Sequence, residues 1–261
     1  MTILISRHLE TGARAPSLLL ALSALVFAAC GEATTETSGP DESASPMAGL
    51  AQSVEGSEAA EWVALFEGET LEGWRGYRLE GLPAGWSVAD GAIHLVPSGE
   101  GERADLITEA QFSSFELELE WAVGEGGNSG VFFHVTEDHG RSYETGPEYQ
   151  ILDNAGHRDG REAVTSAASN YALHEPAKDL TLPLGEFNAA RLLVDGDHVE
   201  HWLNGEKVLD YTLWDDDWKA RVAASKFASM PDYGLRETGH IGLQDHGDEI
   251  WFRNIRIRRL P

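Results

Sequence analysis

Two turn dipeptides do most to constrain this chain. Asp195-Gly196 and Asn204-Gly205 separate three short runs, Arg191 to Val194, Val199 to Leu203 and Lys207 to Tyr211. Asx-Gly pairs tolerate the positive φ that a two-residue hairpin requires, so the three runs are expected to form an antiparallel meander. A meander has one face to bury and needs more sheet to bury it against.

The rest of the chain supplies that sheet. Phe115, Leu117, Leu119 and Trp121 alternate with Glu116, Glu118 and Glu120, the period-two pattern of a half-buried strand. The three glutamates resemble a catalytic cluster but are expected to form the solvated face of that one strand. Val131, Phe133 and Val135 form the inner row of the next strand. His240 to Asp245 and Ile250 to Ile257, around the turn His246-Gly247-Asp248, are expected to close the domain as a hairpin. Helix is confined to one or two turns within 215–227. Many antiparallel strands with one polar and one apolar face predict two stacked sheets, an all-β sandwich of jelly-roll type.

The N-terminal sixty residues have a different character. Arg7 and Arg14 precede an apolar run from Leu18 to Ala29 that is too short to cross a bilayer and suits a signal peptide. It ends at Cys30, the only cysteine, and small residues just before a lone Cys resemble the lipobox of bacterial lipoproteins. The expectation is a lipoprotein signal peptide over 1–29, lipidation at Cys30, a flexible acidic tether over 30–60 and a sandwich over 61–261. The protein is then exported and held on a membrane only through its lipid anchor. With 44 Asp and Glu against 19 Lys and Arg, nucleic acid and anionic membrane surfaces are poor partners. Gly124-Glu125-Gly126-Gly127 precedes a strand rather than a helix, so it is no nucleotide fingerprint.

Counting by twos assigns polar groups to a groove on the face away from the core. Asn128, Phe132 and His134 share one strand face, Glu148 and Gln150 a second, and His240, Gln244 and His246 a third. With aromatic partners drawn from Trp74, Trp86, Tyr149, Trp202 and Trp214, such a groove suits a carbohydrate, which needs directed hydrogen bonds and flat apolar surface. A divalent metal is a candidate cofactor, with Asp153, His157 and Asp245 as carboxylate and imidazole ligands beside His246.

Six segments carry a family resemblance. They are Phe66 to Trp74, Asn128 to Phe133, Glu144 to Gln150, His201 to Gly205, Ala224 to Phe227 and Gly239 to Gly247. In this order they resemble the bacterial 3-keto-disaccharide hydrolase domain family, over nearly everything from Trp62 to Leu260. The resemblance implies a concanavalin A-like lectin/glucanase sandwich and cleavage of glycosides oxidised at C3. It also implies a separate sugar 3-dehydrogenase that makes the keto substrate. A ketone at C3 acidifies the C2 hydrogen, so a base can start an elimination of the C1 group that water then completes. Glu148 ranks first as base, with a groove histidine as the alternative. Lys226, His246 or a metal would stabilise the enolate, while Asn128, His134, Gln150, Gln244 and Trp202 would hold the sugar.

Two rivals remain open at this point. A non-catalytic carbohydrate-binding lipoprotein would use the same groove. A retaining glucanase would need Glu-x-Asp-x-x-Glu, and here that spacing reads Glu148, Gln150 and Asp153.

Overall fold

The computed structural model describes residues 61–97 and 100–261. Thirteen strands run in chain order: β1 (Val63–Phe66), β2 (Trp74–Gly76), β3 (Trp86–Ala89), β4 (Ala92–Leu95), β5 (Leu106–Thr108), β6 (Phe115–Val123), β7 (Asn128–Val135), β8 (Glu148–Leu152), β9 (Asn188–Asp195), β10 (His198–Leu203), β11 (Glu206–Thr212), β12 (His240–Leu243) and β13 (Ile250–Arg259). Among the described residues there are one α-helix, α1 (Asp216–Ala224), which precedes β12, and four short 3-10 turns. An eight-stranded antiparallel sheet has the order β11-β10-β9-β6-β13-β4-β3, with β1 also paired to β13. The second sheet has five strands, β2-β5-β12-β7-β8. This is an all-β jelly-roll sandwich of the concanavalin A-like type.

The meander forms as expected. Asn204 and Gly205 have φ of 49° and 84°, so both central residues are left-handed, while Gly196 takes φ of 60° at the first turn. The inner faces meet in one core, with Leu117, Leu119, Trp121, Phe252 and Ile257 from the large sheet against Val131, Phe133, Ile151, Ile241 and Leu243 from the small one. Tyr149 crosses this core and donates its hydroxyl to the Trp202 carbonyl at 3.0 Å, tying β8 to β10.

Three expectations are corrected. β12 and β13 do not form a hairpin, because β12 joins the small sheet and β13 the large one. The segment between them carries the chain from one sheet to the other, and Gln244 N donates to the Gly130 carbonyl at 2.9 Å as it leaves. The glutamate row of β6 is not simply solvated. Glu116 is buried and held by Arg191 and Arg258, Glu118 by Arg256, and Glu120 by Arg253 at 2.7 Å. The third correction is His134. Its φ of 53° marks a bulge, where the register against β12 shifts. The bulge reverses side-chain parity, so Val135 joins Phe132 and Ile107 on the outer face. His134 turns inward against Phe115 and Phe133, with Nε2 2.8 Å from the Ser113 carbonyl.

Candidate active site

β7 and β8 place the central residues. Their register sets Gly130 opposite Gln150 and Phe132 opposite Glu148, so Glu148 and Gln150 point away from the core. Gly130 is required here by space. A Cβ at this position would lie 2.1 Å from Glu148 Oε1, because the carboxylate folds across the bare backbone. β8 is an edge strand, and its free side is covered by the segment that follows it. Ala168 N donates to the Gln150 carbonyl at 2.8 Å and Tyr171 N to the Glu148 carbonyl at 3.2 Å. That cover satisfies the edge and delivers Tyr171 to the site.

Lys226 arrives on a separate support. Asp215 caps α1, accepting from Trp218 N at 2.7 Å, and Ser225 caps the next turn, accepting from Phe227 N at 3.1 Å. Phe227 is buried and stacks on Tyr233 with ring centroids 3.8 Å apart. Between these anchors, Lys226 Nζ stands 4.1 Å over the Tyr171 ring, a cation–π contact. Tyr171 in turn donates its hydroxyl to Asp159 Oδ2 at 2.9 Å.

Asn128, Tyr143, Glu148, Gln150, Tyr171, Lys226, Gln244 and His246 enclose a cavity of about 210 Å³ on the outer face of the small sheet. Burial raises the Glu148 pKa well above the ordinary carboxylate range. The Lys226 charge opposes that rise, Asp105 and Asp159 add to it, and a hydrogen bond from Gln244 opposes it. Burial lowers the Lys226 pKa, against the pull of Glu148 and Asp159. Asn128 Oδ1 and Gln244 Oε1 are buried without partners. Orphaned amide oxygens cost stability unless a ligand donor meets them.

The cavity therefore gathers Glu148, Lys226, His246, Asn128, Gln150 and Gln244 from the sequence-based set. It also adds Tyr143, on the 3-10 turn Ser142–Glu144, and Tyr171, on a loop; neither position carries an alternation signal. Trp202 is corrected. It sits on the outer face of the large sheet under Arg191, at 4.5 Å, with Nε1 donating to Glu200 at 2.7 Å. His240 is buried as well, with Nδ1 2.6 Å from the Thr108 carbonyl. The proposed aromatic partners are structural too: Trp74, Trp86 and Trp214 spend their indole N–H groups on the carbonyls of Leu65, Ala104 and Gly234.

The metal ligand set is also corrected. Asp153 accepts from the backbone N–H groups of Gly126, Ala155 and Gly156 at 2.8, 3.1 and 3.0 Å. His157 Nδ1 accepts from Asp159 N at 3.1 Å, and Asp245 pairs with Arg103 at 2.5 Å. Among the described residues, the convergent His/Asp/Glu group is instead His198, Glu200 and Asp210. It lies on the meander, and the Lys207 ammonium already bridges Glu200 and Asp210 at 2.9 and 2.6 Å.

A buried carboxylate and a lysine in a polar cavity, on a jelly-roll sandwich, define an acid–base site sized for a small polar ligand. The chain belongs to the 3-keto-alpha-glucoside-1,2-lyase-like domain family, whose model matches residues 61–258. A 3-keto-disaccharide hydrolase of Bacteroides thetaiotaomicron is 38% identical over 228 residues, covering 76% of this chain and 78% of the relative. A crystal structure from Parabacteroides distasonis, of a protein assigned provisionally to the glycosyl hydrolases, superposes with a TM-score of 0.70 at 35% identity, covering 77% of this chain and 94% of that one. A second structure from that organism, with the same provisional assignment, gives a TM-score of 0.59 at 29% identity and covers 77% and 100%. These relatives make the chain a member of a family of glycoside-cleaving enzymes.

Proposed function

We propose that the protein cleaves 3-keto-disaccharides by elimination and hydration, with Glu148 as the base. The observation that carries this reading is the pairing of a buried, high-pKa carboxylate with a lysine in one cavity. Ionised Glu148 takes the C2 proton, and the electron pair passes through the C3 carbonyl as an enolate. Lys226 supplies the positive charge that stabilises the enolate oxygen. The enolate collapses to restore C3=O, C1=C2 forms, and the C1–O bond breaks. His246 protonates the departing oxygen. Water then adds hydroxyl to C1 and hydrogen to C2, and the sum is hydrolysis. Asn128, Gln150 and Gln244 orient the ring hydroxyls.

The site supports this reading over direct glycosidase chemistry. A retaining enzyme needs two free carboxylates about 5 Å apart, and here Gln150 is an amide while Asp153 is occupied by three backbone N–H groups. A sugar-binding protein has no need of a carboxylate whose pKa burial raises toward the range of a working base. The test is deuterium exchange at C2 of a 3-keto-disaccharide in heavy water. Wild type should wash deuterium into C2 and release the second sugar. Glu148→Gln should lose at least about 100-fold in both. Tight binding with no exchange by wild type would refute the catalytic reading.

A keto substrate requires an oxidation at C3, so the reaction sequence includes a separate sugar 3-dehydrogenase. Cys30 as a lipidated N-terminus and residues 30–60 as a tether complete the proposal; both lie outside the described residues.

A further inference from the structure

The cavity around Glu148 has room for about one sugar ring, but a disaccharide brings two. Beside it opens a larger basin of about 560 Å³, lined by Arg78, Arg103, Asp105, Arg141, Asp245 and His246 among others. His246 is the residue common to both cavities. Asp105, on the basin wall, is close enough for its charge to act on Glu148. The two spaces therefore adjoin at the imidazole.

The basin is built for hydrogen bonding. The Asp245 side chain is only 4% exposed. Its Oδ1 accepts from Arg103 Nη2 at 2.5 Å and from Gly247 N at 3.0 Å, while its Oδ2 is buried with no partner. A buried carboxylate oxygen left bare is costly, and a ligand hydroxyl would satisfy it. Arg141 stands exposed on the rim and makes no ion pair among the described residues. Arg78, Arg103 and Arg141 are matched by Glu102, Asp105 and Asp245, three charges of each sign, so the lining carries no formal net charge. Alternating donors and acceptors without net charge fit a neutral polyol better than an anionic group. An aryl group finds no platform, because Tyr77 is buried with its hydroxyl given to the Thr136 and His139 carbonyls at 3.1 and 2.8 Å.

We propose that this basin is the leaving-group subsite, that it takes a second, neutral sugar, and that His246 stands at the glycosidic oxygen between the two rings. The inference rests on the assignment of Glu148 to the 3-keto ring.

The test compares kcat/KM for a 3-keto-disaccharide with that for methyl 3-keto-glucoside, which has no second ring. Arg141→Ala and Asp245→Asn should each lower the disaccharide-to-methyl ratio by about 10-fold, mainly through KM. Arg141 is exposed, so its variant keeps the proposal testable if Asp245→Asn unfolds. In parallel, calorimetry with an unoxidised glucose disaccharide should show binding that weakens about 10-fold in Arg141→Ala. A ratio unchanged in both variants, or both substrates falling together, would overturn the subsite while leaving the catalytic reading intact. If wild type cleaves neither keto substrate yet binds the disaccharide through Arg141, the catalytic reading fails and the subsite stands. Absence of any Arg141 effect in both arms removes the subsite.

Discussion

Glu148 shows how a single side chain is tuned by its surroundings. Burial raises its pKa, and Lys226 limits the rise. A base works when ionised, so kcat/KM should climb with pH through a value well above 4.5, the ordinary glutamate value. Lys226→Met removes the opposing charge and should move that limb to still higher pH while lowering kcat; a limb that stays in place would show that the two charges do not communicate. The same shift predicts a stability effect. A carboxyl whose folded pKa is raised favours folding at low pH, and that contribution is lost as pH rises through the folded value. Glu148→Gln cannot ionise, so its Tm should exceed that of wild type at pH values above the limb and match it below the ordinary glutamate value. A variant less stable at high pH would contradict a buried carboxylate with a raised pKa. Alternation alone placed Asn128, Glu148 and Gln150 on one face, because β7 and β8 are regular there. It failed at His134 because one left-handed residue reverses the count, and nothing in the identity of a histidine announces that.

At the scale of elements, the site depends on the fit between two strands. Gly130 leaves the gap that Glu148 fills, and the clashing atoms of a Cβ there belong to the Glu148 side chain, with Cγ at 2.7 Å and Cδ at 2.8 Å. A flexible side chain can swing away at small cost, whereas a catalytic carboxylate cannot move without losing its position. Gly130→Ala should therefore keep the fold and most of the thermal stability but lose about 100-fold in turnover, read by circular dichroism melts beside the C2 exchange assay. A large drop in Tm with activity per folded molecule preserved would show that Gly130 serves packing instead. The meander was legible because Asn204-Gly205 and Asp195-Gly196 mark their turns locally, although the first turn closes on Gly196-Asp197, with Asp195 paired to His198. The fate of β12 and β13 was not, since the same polar turn can close a hairpin or carry the chain from one sheet to the other. Only the pairing of β12 with β5 and β7, and of β13 with β4 and β6, decides it. Tyr143 and Tyr171 escaped because neither lies in an alternating run: Tyr143 stands on a short 3-10 turn, Ser142–Glu144, and Tyr171 on a loop tied by its backbone to Glu148.

For the whole molecule, the two sheets have separate duties. The outer face of the large sheet is laced by glutamate–arginine pairs from β6, β9 and β13, while the outer face of the small sheet carries the polar cavity. Catalysis located on one face of a self-contained sandwich should not depend on how the protein is held. As proposed, residues 30–60, which contain no Lys or Arg, act as a tether, and a flexible chain of that length would give a reach of about 30 Å on average. Such a reach would hold the sandwich near a membrane while leaving it free to face soluble sugar. Acyl chains on Cys30 would each add about 0.8 kcal/mol per buried methylene, enough in combination to keep the protein in a detergent phase. Cys30→Ser should shift it to the aqueous phase on detergent partitioning and leave kcat/KM for a soluble 3-keto-disaccharide unchanged. Partitioning that ignores the substitution would refute lipidation at Cys30. A fall in kcat/KM with the shift would mean that the membrane, and not the sandwich alone, completes the site.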